Sequence, residues 1–474
     1  MNKNFYITTS IAYTNSVPHI GYALELVQAD VLARYHRLSG EDVFFLTGTD
    51  DHGIKIQRSA QQKAISPEKF VAGNIKQFKK LIEKLQISND DFVSTSDRAK
   101  HWSGAKKLWK QIEANGDIYK KNYKGLYCVG CEAFKKESDL VDGKCPDHKC
   151  KPEEVEEENY FFRLTKYTEN LHNLITHNKI NIIPRIKKQE VLNMLEGIGD
   201  VSFSRSKDKL SWGIPVPGDE TQVMYVWCDA LSNYLSALGY GKDDESKFEK
   251  FWPAQIHCIG KDIIKFHTIF WPAMLMSAKL ALPETIFVHG HITSDGQKMS
   301  KSLGNVIDPF EIINKYGSDA LRYYLLREIA STGDGDFSLE RFEELYNTEL
   351  ANELGNLVNR VIVMSKKYNI KIKNQDAKVK MTNKNEKYLK NFEFAEMLKE
   401  IWKQIKKANQ YIENEKPWEL AKNDQAKLRE VLEKLLNDLE KISHELEIFL
   451  PETTKQIKNQ LHTLVAEPLF PRIK

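Results

Sequence analysis

The sequence predicts an α/β protein in which a parallel-sheet domain carries an inserted module and is followed by an all-helical C-terminal domain. Three observations predict it. The first fifty residues read as strand, helix, strand. Short apolar strands of the same kind return from Val223 onward. Strand signals stop after about Asp336, where Lys, Glu, Leu and Asn take over at helical spacing.

Each element has a local reason. Phe5 to Ile11 is aromatic and β-branched, which suits a strand. Pro18 opens a helix whose apolar residues Leu24, Val27, Val31, Tyr35 and Leu38 are spaced by 3, 4, 4 and 3, and Gly40 stops it. Asp42-Val43-Phe44-Phe45-Leu46 is the short apolar run of a strand buried on both faces. Together these form one βαβ unit of a parallel sheet. Val223–Trp227, Ile256–Ile259 and Ile286–Val288 read as further strands. Between about residues 115 and 215 the alternation breaks at a cysteine cluster and an acidic run, Glu153–Glu158, so this stretch reads as an insertion. In the C-terminal part only Pro417 and Pro451 interrupt the helical pattern before the tail.

Length and composition bound the function. At roughly 100–200 residues per domain, 474 residues make about three domains. A hydrophobic fraction of 41% supports real cores, and 28% charged residues suit a solvated surface. With 69 Lys+Arg against 66 Asp+Glu, the net charge of +3 neither supports nor excludes a nucleic-acid partner. No apolar run reaches the ~18 residues of a membrane span, and the N-terminus lacks a signal-peptide pattern, so the cytoplasm is expected. Four of the six cysteines lie between Cys128 and Cys150, and outside a secretory context such a cluster points to metal before disulfides.

In open parallel sheets, ligands bind beyond the carboxyl ends of the strands. Here those ends are polar or glycine-bearing: Tyr13 and then Pro18-His19-Ile20-Gly21-Tyr22; Thr47–Gly53; Trp227–Ala230; Gly260-Lys261-Asp262; His289-Gly290-His291. His19 and Gly21 open a helix, where unpaired N–H groups and the dipole favour a phosphate. Lys298 and Lys301 lie in a Gly/Ser-rich loop and can add two positive charges to the same triphosphate. Taken singly these features are weak. A histidine after proline is usually structural, two loop lysines are usually solvated, and Trp227 alone is more often core.

Together and in this order they resemble the two signature motifs of class I aminoacyl-tRNA synthetases. The stretches Phe44–Gly53, Tyr225–Leu231, His257–His267 and Phe270–Leu275 resemble methionyl-tRNA synthetases in particular, over nearly the whole chain. The resemblance implies a Rossmann-like catalytic domain (1–115 and 216–285) with an inserted zinc-knuckle connective domain (116–215). A signature-loop region (286–340) and an all-α anticodon-binding bundle (341–474) follow. It implies a methionine–tRNA ligase using ATP with Mg2+, L-methionine and tRNA(Met). His19, Gly21, Lys298 and Lys301 would be catalytic. Glu25, Gly260, Lys261, Asp262, His289 and Gly290 would join them around ATP. Asp50 and the backbone of Ile11 would hold the methionine ammonium, and Tyr13, Trp227, Tyr234, Ile263 and His267 would line its pocket. A thioether packs well on aromatic edges, and a hydroxyl or imidazole N–H can offer its sulfur a weak hydrogen bond.

Cys128-x2-Cys131 with Cys145-x2-His148 has tetrahedral zinc spacing. His148 is the expected fourth ligand of one structural zinc, and Cys150 is the rival. Asn356 and Arg360, four apart on one helical face, and Trp418 would read the anticodon through base edges and stacking; without the resemblance, Trp418 reads as a packed helix-start residue. Tyr22 departs from the histidine usual at its position. The end of the chain at Lys474, without the further tRNA-binding domain of many relatives, leads to the expectation of a monomer. A leucine- or cysteine-specific synthetase is the nearest alternative, although the editing insertion of enzymes that must reject a near-isostere is missing from so short an insert. An inactive tRNA-binding scaffold is the other, and intact His19, Asp50, Lys298 and Lys301 argue against it.

Overall fold

The computed structural model describes residues 3–130, 133–135, 137–146, 149–294, 296–299, 305–372 and 383–472. The chain forms two compact units. One comprises Met1–Pro18, Ser39–Lys80 and Asn89–Val288; the other comprises His19–Leu38, Leu81–Ser88 and His289–Lys474.

The first unit is built on a six-stranded sheet. Its strands are β1 (Asn4–Tyr13), β2 (Asp42–Asp50), β3 (Asp91–Ser94), β4 (Asn181–Ile183), β5 (Ile256–Gly260) and β6 (Thr285–His289). Their order across the sheet is β3-β2-β1-β5-β6-β4. The pairs β3–β2, β2–β1, β1–β5 and β6–β4 are parallel. The order reverses between β1 and β5, which is where such sheets open a crevice for ligands. The apolar runs of β1 and β2 are buried on both faces, as their composition predicts.

Two readings of the sequence need correction. Val223–Trp227 is not a strand of this sheet. Asp219–Met224 pairs antiparallel with Ser204–Ser206 and Pro215–Val216, and a helix, α1, spans Val226–Leu231. An apolar run of five fits a buried strand or a buried helical turn equally well, and packing decided between them. The inserted stretch is also not wholly inserted, because β4 returns to the main sheet as its edge. Much of what remains forms an antiparallel sheet of Ala133–Lys135, Ile118–Cys128, Glu153–Phe162 and Val201–Ser202, with the helices Thr168–Thr176 and Arg185–Leu195 beside β4 in the sequence. The acidic run is one of its strands: Glu156 faces Lys124, and Glu157 and Glu158 face Tyr123 and Asn122. One opposite-charge pair, Lys124 with Glu156, and the ladder to Ile118–Cys128 hold residues of poor strand propensity in a strand.

The second unit contains the helix opened by Pro18, now Ile20–Leu38, and is otherwise mainly helical after Pro309. Long amphipathic helices, Phe394–Glu415 and Gln425–Leu446, bury Ile401, Ile405, Leu428, Val431 and Leu435. Among the described residues the last strand, Gly335–Phe337, pairs with Ile292–Ser294, close to where the sequence signal stops. Arg322, fully buried, ties this unit together. It donates to Asp30 (2.8 Å) and to the carbonyls of Phe449 (2.7 Å), Ile448 and Leu85 (both 3.2 Å).

Candidate functional site

In the first unit, the ends of β1 and β2 set Ile11 beside Gly48 and Tyr13 beside Asp50. Gly48 is required there, since a Cβ would stand 2.1 Å from the Val93 carbonyl oxygen. Asp50 is 6% exposed, and its carboxylate accepts the His52 N–H at 3.4 Å.

A second group meets the first around one apolar core, against which Ile11, Tyr13, Trp227, Ile263 and Phe266 all pack. Trp227, on α1, stacks on Phe266 with ring centroids 3.7 Å apart and planes at 6°. His267 follows Phe266. Its Nδ1 donates to the Ile263 carbonyl at 3.0 Å, four residues back, and its Nε2 accepts the Tyr234 hydroxyl at 2.8 Å. Tyr234 lies 4.3 Å from the ring of His257, which bonds Thr8 (2.7 Å) and accepts the Trp271 N–H (3.3 Å). All the residues expected to face methionine therefore belong to one neighbourhood. Phe266 and His257 belong to it too; Phe266 carries no sequence signal of its role beyond its place in a matching stretch.

The hydrogen bonds correct one expectation. The Tyr234 O–H and the His267 N–H both have protein acceptors, so neither remains to donate to a thioether sulfur. What this wall offers is aromatic surface and a neutral imidazole. Burial pushes His267 down to about 4. Burial, helped by His267, holds His257 well below the usual histidine range. An uncharged wall suits an apolar side chain.

This has a pH consequence. Above about pH 6.5, His267 is neutral whether the chain is folded or unfolded, and it contributes nothing to the pH dependence. As pH falls below that value, the unfolded chain binds a proton that the folded chain refuses until about pH 4. Stability is therefore lost across that window, by about 2 kcal/mol between pH 7 and pH 5 for this group. Urea unfolding at the two pH values measures it. A His267→Gln variant should lose less stability than wild type over the interval, and an equal loss would remove His267 as the cause.

The expected phosphate-binding residues belong mostly to the second unit. His19 is exposed at the start of its helix, and its Nδ1 accepts the Gly21 N–H at 3.1 Å. Gly21 makes room for this fold-back, since a Cβ would stand 2.9 Å from the imidazole. Tyr22 is buried. Glu25 is buried and accepts the His289 Nε2–H at 2.9 Å, while His289 Nδ1 donates to the Gly290 carbonyl at 2.8 Å. Gly290 admits a close chain crossing, with the Gly333 carbonyl oxygen 2.1 Å from where a Cβ would be. Gly260, Lys261 and Asp262, in the first unit, end β5 and begin a short 3-10 turn. Lys298 pairs in the strand Gln297–Lys298 with Thr293; its side chain and all of Lys301 lie outside the described residues.

Asn356 and Arg360 share the helix Asn356–Lys367. The Arg360 guanidinium lies 6.0 Å from the Trp418 ring and bonds Glu413 at 2.7 Å. Trp418 is 42% exposed, so it is not the packed helix-start residue that its position after Pro417 suggests. In the inserted sheet Cys128 and Cys145 are buried and Cys150 is exposed, and the Cys145 N–H donates to the Cys150 carbonyl at 2.9 Å. Cys131 and His148 lie outside the described residues, and no group of three metal-binding side chains occurs among the described ones.

Comparison with known proteins bears on the same residues. The family model described as tRNA synthetases class I (M) matches residues 5–156 and 148–362. The methionine–tRNA ligase of Clostridium acetobutylicum is 45% identical over 97% of this chain and 73% of its own length. That of Rickettsia bellii is 41% identical over 99% of this chain and 95% of its own. Among solved structures, Mycobacterium tuberculosis methionyl-tRNA synthetase in complex with methionyl-adenylate matches with a TM-score of 0.90 at 36% identity, covering 100% of this chain and 99% of that one.

Proposed function

This chain belongs to the methionyl-tRNA synthetase family of the class I synthetases, and from that premise we infer its reaction and the residues that carry it. It is a methionine–tRNA ligase. It activates methionine with ATP to methionyl-adenylate and transfers the methionyl group to the 3' end of tRNA(Met). Its partners are ATP, methionine and that tRNA.

In the first step a methionine carboxylate oxygen bonds the α-phosphorus of ATP, which enters with Mg2+, and pyrophosphate leaves with the electrons of the broken P–O bond. In the second, the terminal ribose hydroxyl of the tRNA attacks the adenylate carbonyl and AMP leaves. Little acid–base chemistry is needed, so positioning and charge stabilisation do most of the work. Asp50 and the Ile11 carbonyl bind the ammonium; Tyr13, Trp227, Tyr234, Ile263 and His267 enclose the side chain. His19, Gly21, Glu25, Gly260, Lys261, Asp262, His289 and Gly290 bind ATP, and Lys298 and Lys301 neutralise charge growing on the leaving pyrophosphate. Asn356, Arg360 and Trp418 bind the anticodon: the exposed indole offers a stacking face, and the nearby guanidinium offers donors to base edges. The observation that carries the amino-acid assignment is the uncharged aromatic wall of Trp227 on Phe266 beside the Tyr234–His267 pair.

Cys128, Cys131, Cys145 and His148 would hold one zinc ion. Two buried thiols on a strand end and a tight turn fit that use, and the exposure of Cys150 favours His148 as fourth ligand. Zinc bound there supplies folding energy to the small inserted sheet. The cytoplasm, where translation consumes charged tRNA, is the inferred location.

The test is amino-acid-dependent ATP–pyrophosphate exchange, run with methionine, leucine, isoleucine and cysteine on protein whose zinc content is read by native mass spectrometry. Exchange with methionine alone, and one zinc per chain lost in Cys128→Ser, is expected. Preference for another amino acid would overturn the substrate. Exchange with none, in a folded zinc-loaded protein, would leave a binding scaffold.

A further inference from the structure

Asp229 lies two residues beyond Trp227 and is buried between two histidines. Its Oδ2 accepts from His52 Nδ1 at 2.6 Å, and its Oδ1 accepts from His101 Nε2 at 2.7 Å. His101 Nδ1 is in turn bonded to the Ser236 hydroxyl at 2.8 Å. A carboxylate only accepts, so the hydrogens facing it belong to the rings. This fixes the tautomer of His52 with its hydrogen on Nδ1, as in other carboxylate–histidine pairs.

The other ring nitrogen of His52 is then a lone-pair acceptor. It is buried, and it has no hydrogen-bond partner among the described residues. A buried acceptor of this kind is available to a donor that a ligand brings. The ring is held edge-on by Trp212 (centroids 5.1 Å) and Trp102 (6.1 Å), and the Asp229 bond fixes its orientation. His52 is two residues from Asp50, and its backbone N–H donates to the Asp50 carboxylate at 3.4 Å.

We propose that His52 Nε2 is a third acceptor for the α-ammonium of methionine, beside Asp50 and the Ile11 carbonyl, and that Asp229 and His101 are positioning residues that present it. An ammonium group has three N–H donors, and a dry pocket must satisfy each of them. The inference rests on the reading above in which Asp50 faces the ammonium. It adds a specificity element: amino acids are told from their desamino analogues by three contacts, one of them set by a carboxylate that never touches the substrate.

The experiment compares methionine with 4-(methylthio)butanoate, the same molecule without its amine. In His52→Ala the KM for methionine in pyrophosphate exchange should rise about 10- to 100-fold, with the KM for ATP unchanged. Inhibition by the desamino analogue should be as strong as in wild type. Purely structural damage would weaken both ligands alike and would overturn the proposal. So would a methionine KM within a factor of about two of wild type while Asp50→Ala still loses its expected share of kcat/KM for methionine; that result would leave the pocket reading intact. Should His52→Ala not fold, histidine 15N spectra of wild type decide. Methionine should move the Nε2 resonance of His52 upfield and the desamino analogue should not; no movement with methionine refutes the contact. If wild type binds the analogue as tightly as methionine, the ammonium is not recognised, and the pocket reading falls as well.

Discussion

Asp50→Ala should reduce kcat/KM for methionine in pyrophosphate exchange by about 100- to 1,000-fold, leaving the KM for ATP close to wild type. Asp50 ends β2, is 6% exposed, and is paired by register with Tyr13 at the end of β1. A cation brought into such a place loses its hydration, and only a fixed opposite charge compensates. Removing one partner of a buried ion pair costs about 3–5 kcal/mol, and the stated loss takes the lower part of that range, about 3–4 kcal/mol, at about 1.4 kcal/mol per tenfold. Asp50→Asn should fall between wild type and Ala, because it keeps the shape and one acceptor but loses the charge. Steady-state exchange kinetics with methionine and ATP varied separately provide the check. An unchanged methionine KM in Asp50→Ala would remove Asp50 from the pocket.

The second large effect is on stability. Asp30→Ala should destabilise the second unit by about 3–5 kcal/mol, as expected when a buried charge loses its partner. Asp30 accepts from Arg322 (2.8 Å), Arg34 (2.7 Å), and the Ser88 N–H and hydroxyl (2.7 and 2.6 Å). Burial pushes its carboxyl up, but Arg322, Arg34 and Ser88 outweigh it, and the group stays below its usual range. Without Asp30 the buried Arg322 guanidinium keeps Asp319 as a weaker charge partner and otherwise faces carbonyl oxygens. Those satisfy its hydrogens and not its charge. Urea denaturation followed by circular dichroism reads the loss. A change below about 1 kcal/mol, the scale of an exposed pair, would mean that the network is not what holds this unit together. The double variant Asp30→Leu with Arg322→Met should recover part of the loss, because it removes the unpaired charge but leaves the carbonyls of Phe449, Ile448 and Leu85 without the donors they had.

Much of this protein is legible in the order of its residues. The strands β1, β2, β5 and β6 and the helix Ile20–Leu38 follow from apolar periodicity and from the proline and glycine that bound the helix, signals that survive any tertiary arrangement. The family was legible as well, because its motifs are contiguous: Pro18–Gly21, Thr47–Gly53, Lys298–Ser302. Four features were decided only by folding. The run Val223–Trp227 became a strand end and a helix, since a five-residue apolar segment satisfies either geometry until its neighbours choose. Asn181–Ile183 joined the main sheet through partners that lie more than a hundred residues further along. Trp418 stayed exposed beside Arg360, which its sequence neighbours do not reveal. The Asp229 carboxylate took one histidine 128 residues away and another 177 residues away. Local sequence encodes the period and the turn chemistry of an element. Which side chains meet across such separations is set when the sheet closes and its core packs, and there one carboxylate can fix the tautomer of a histidine that no motif connects to it.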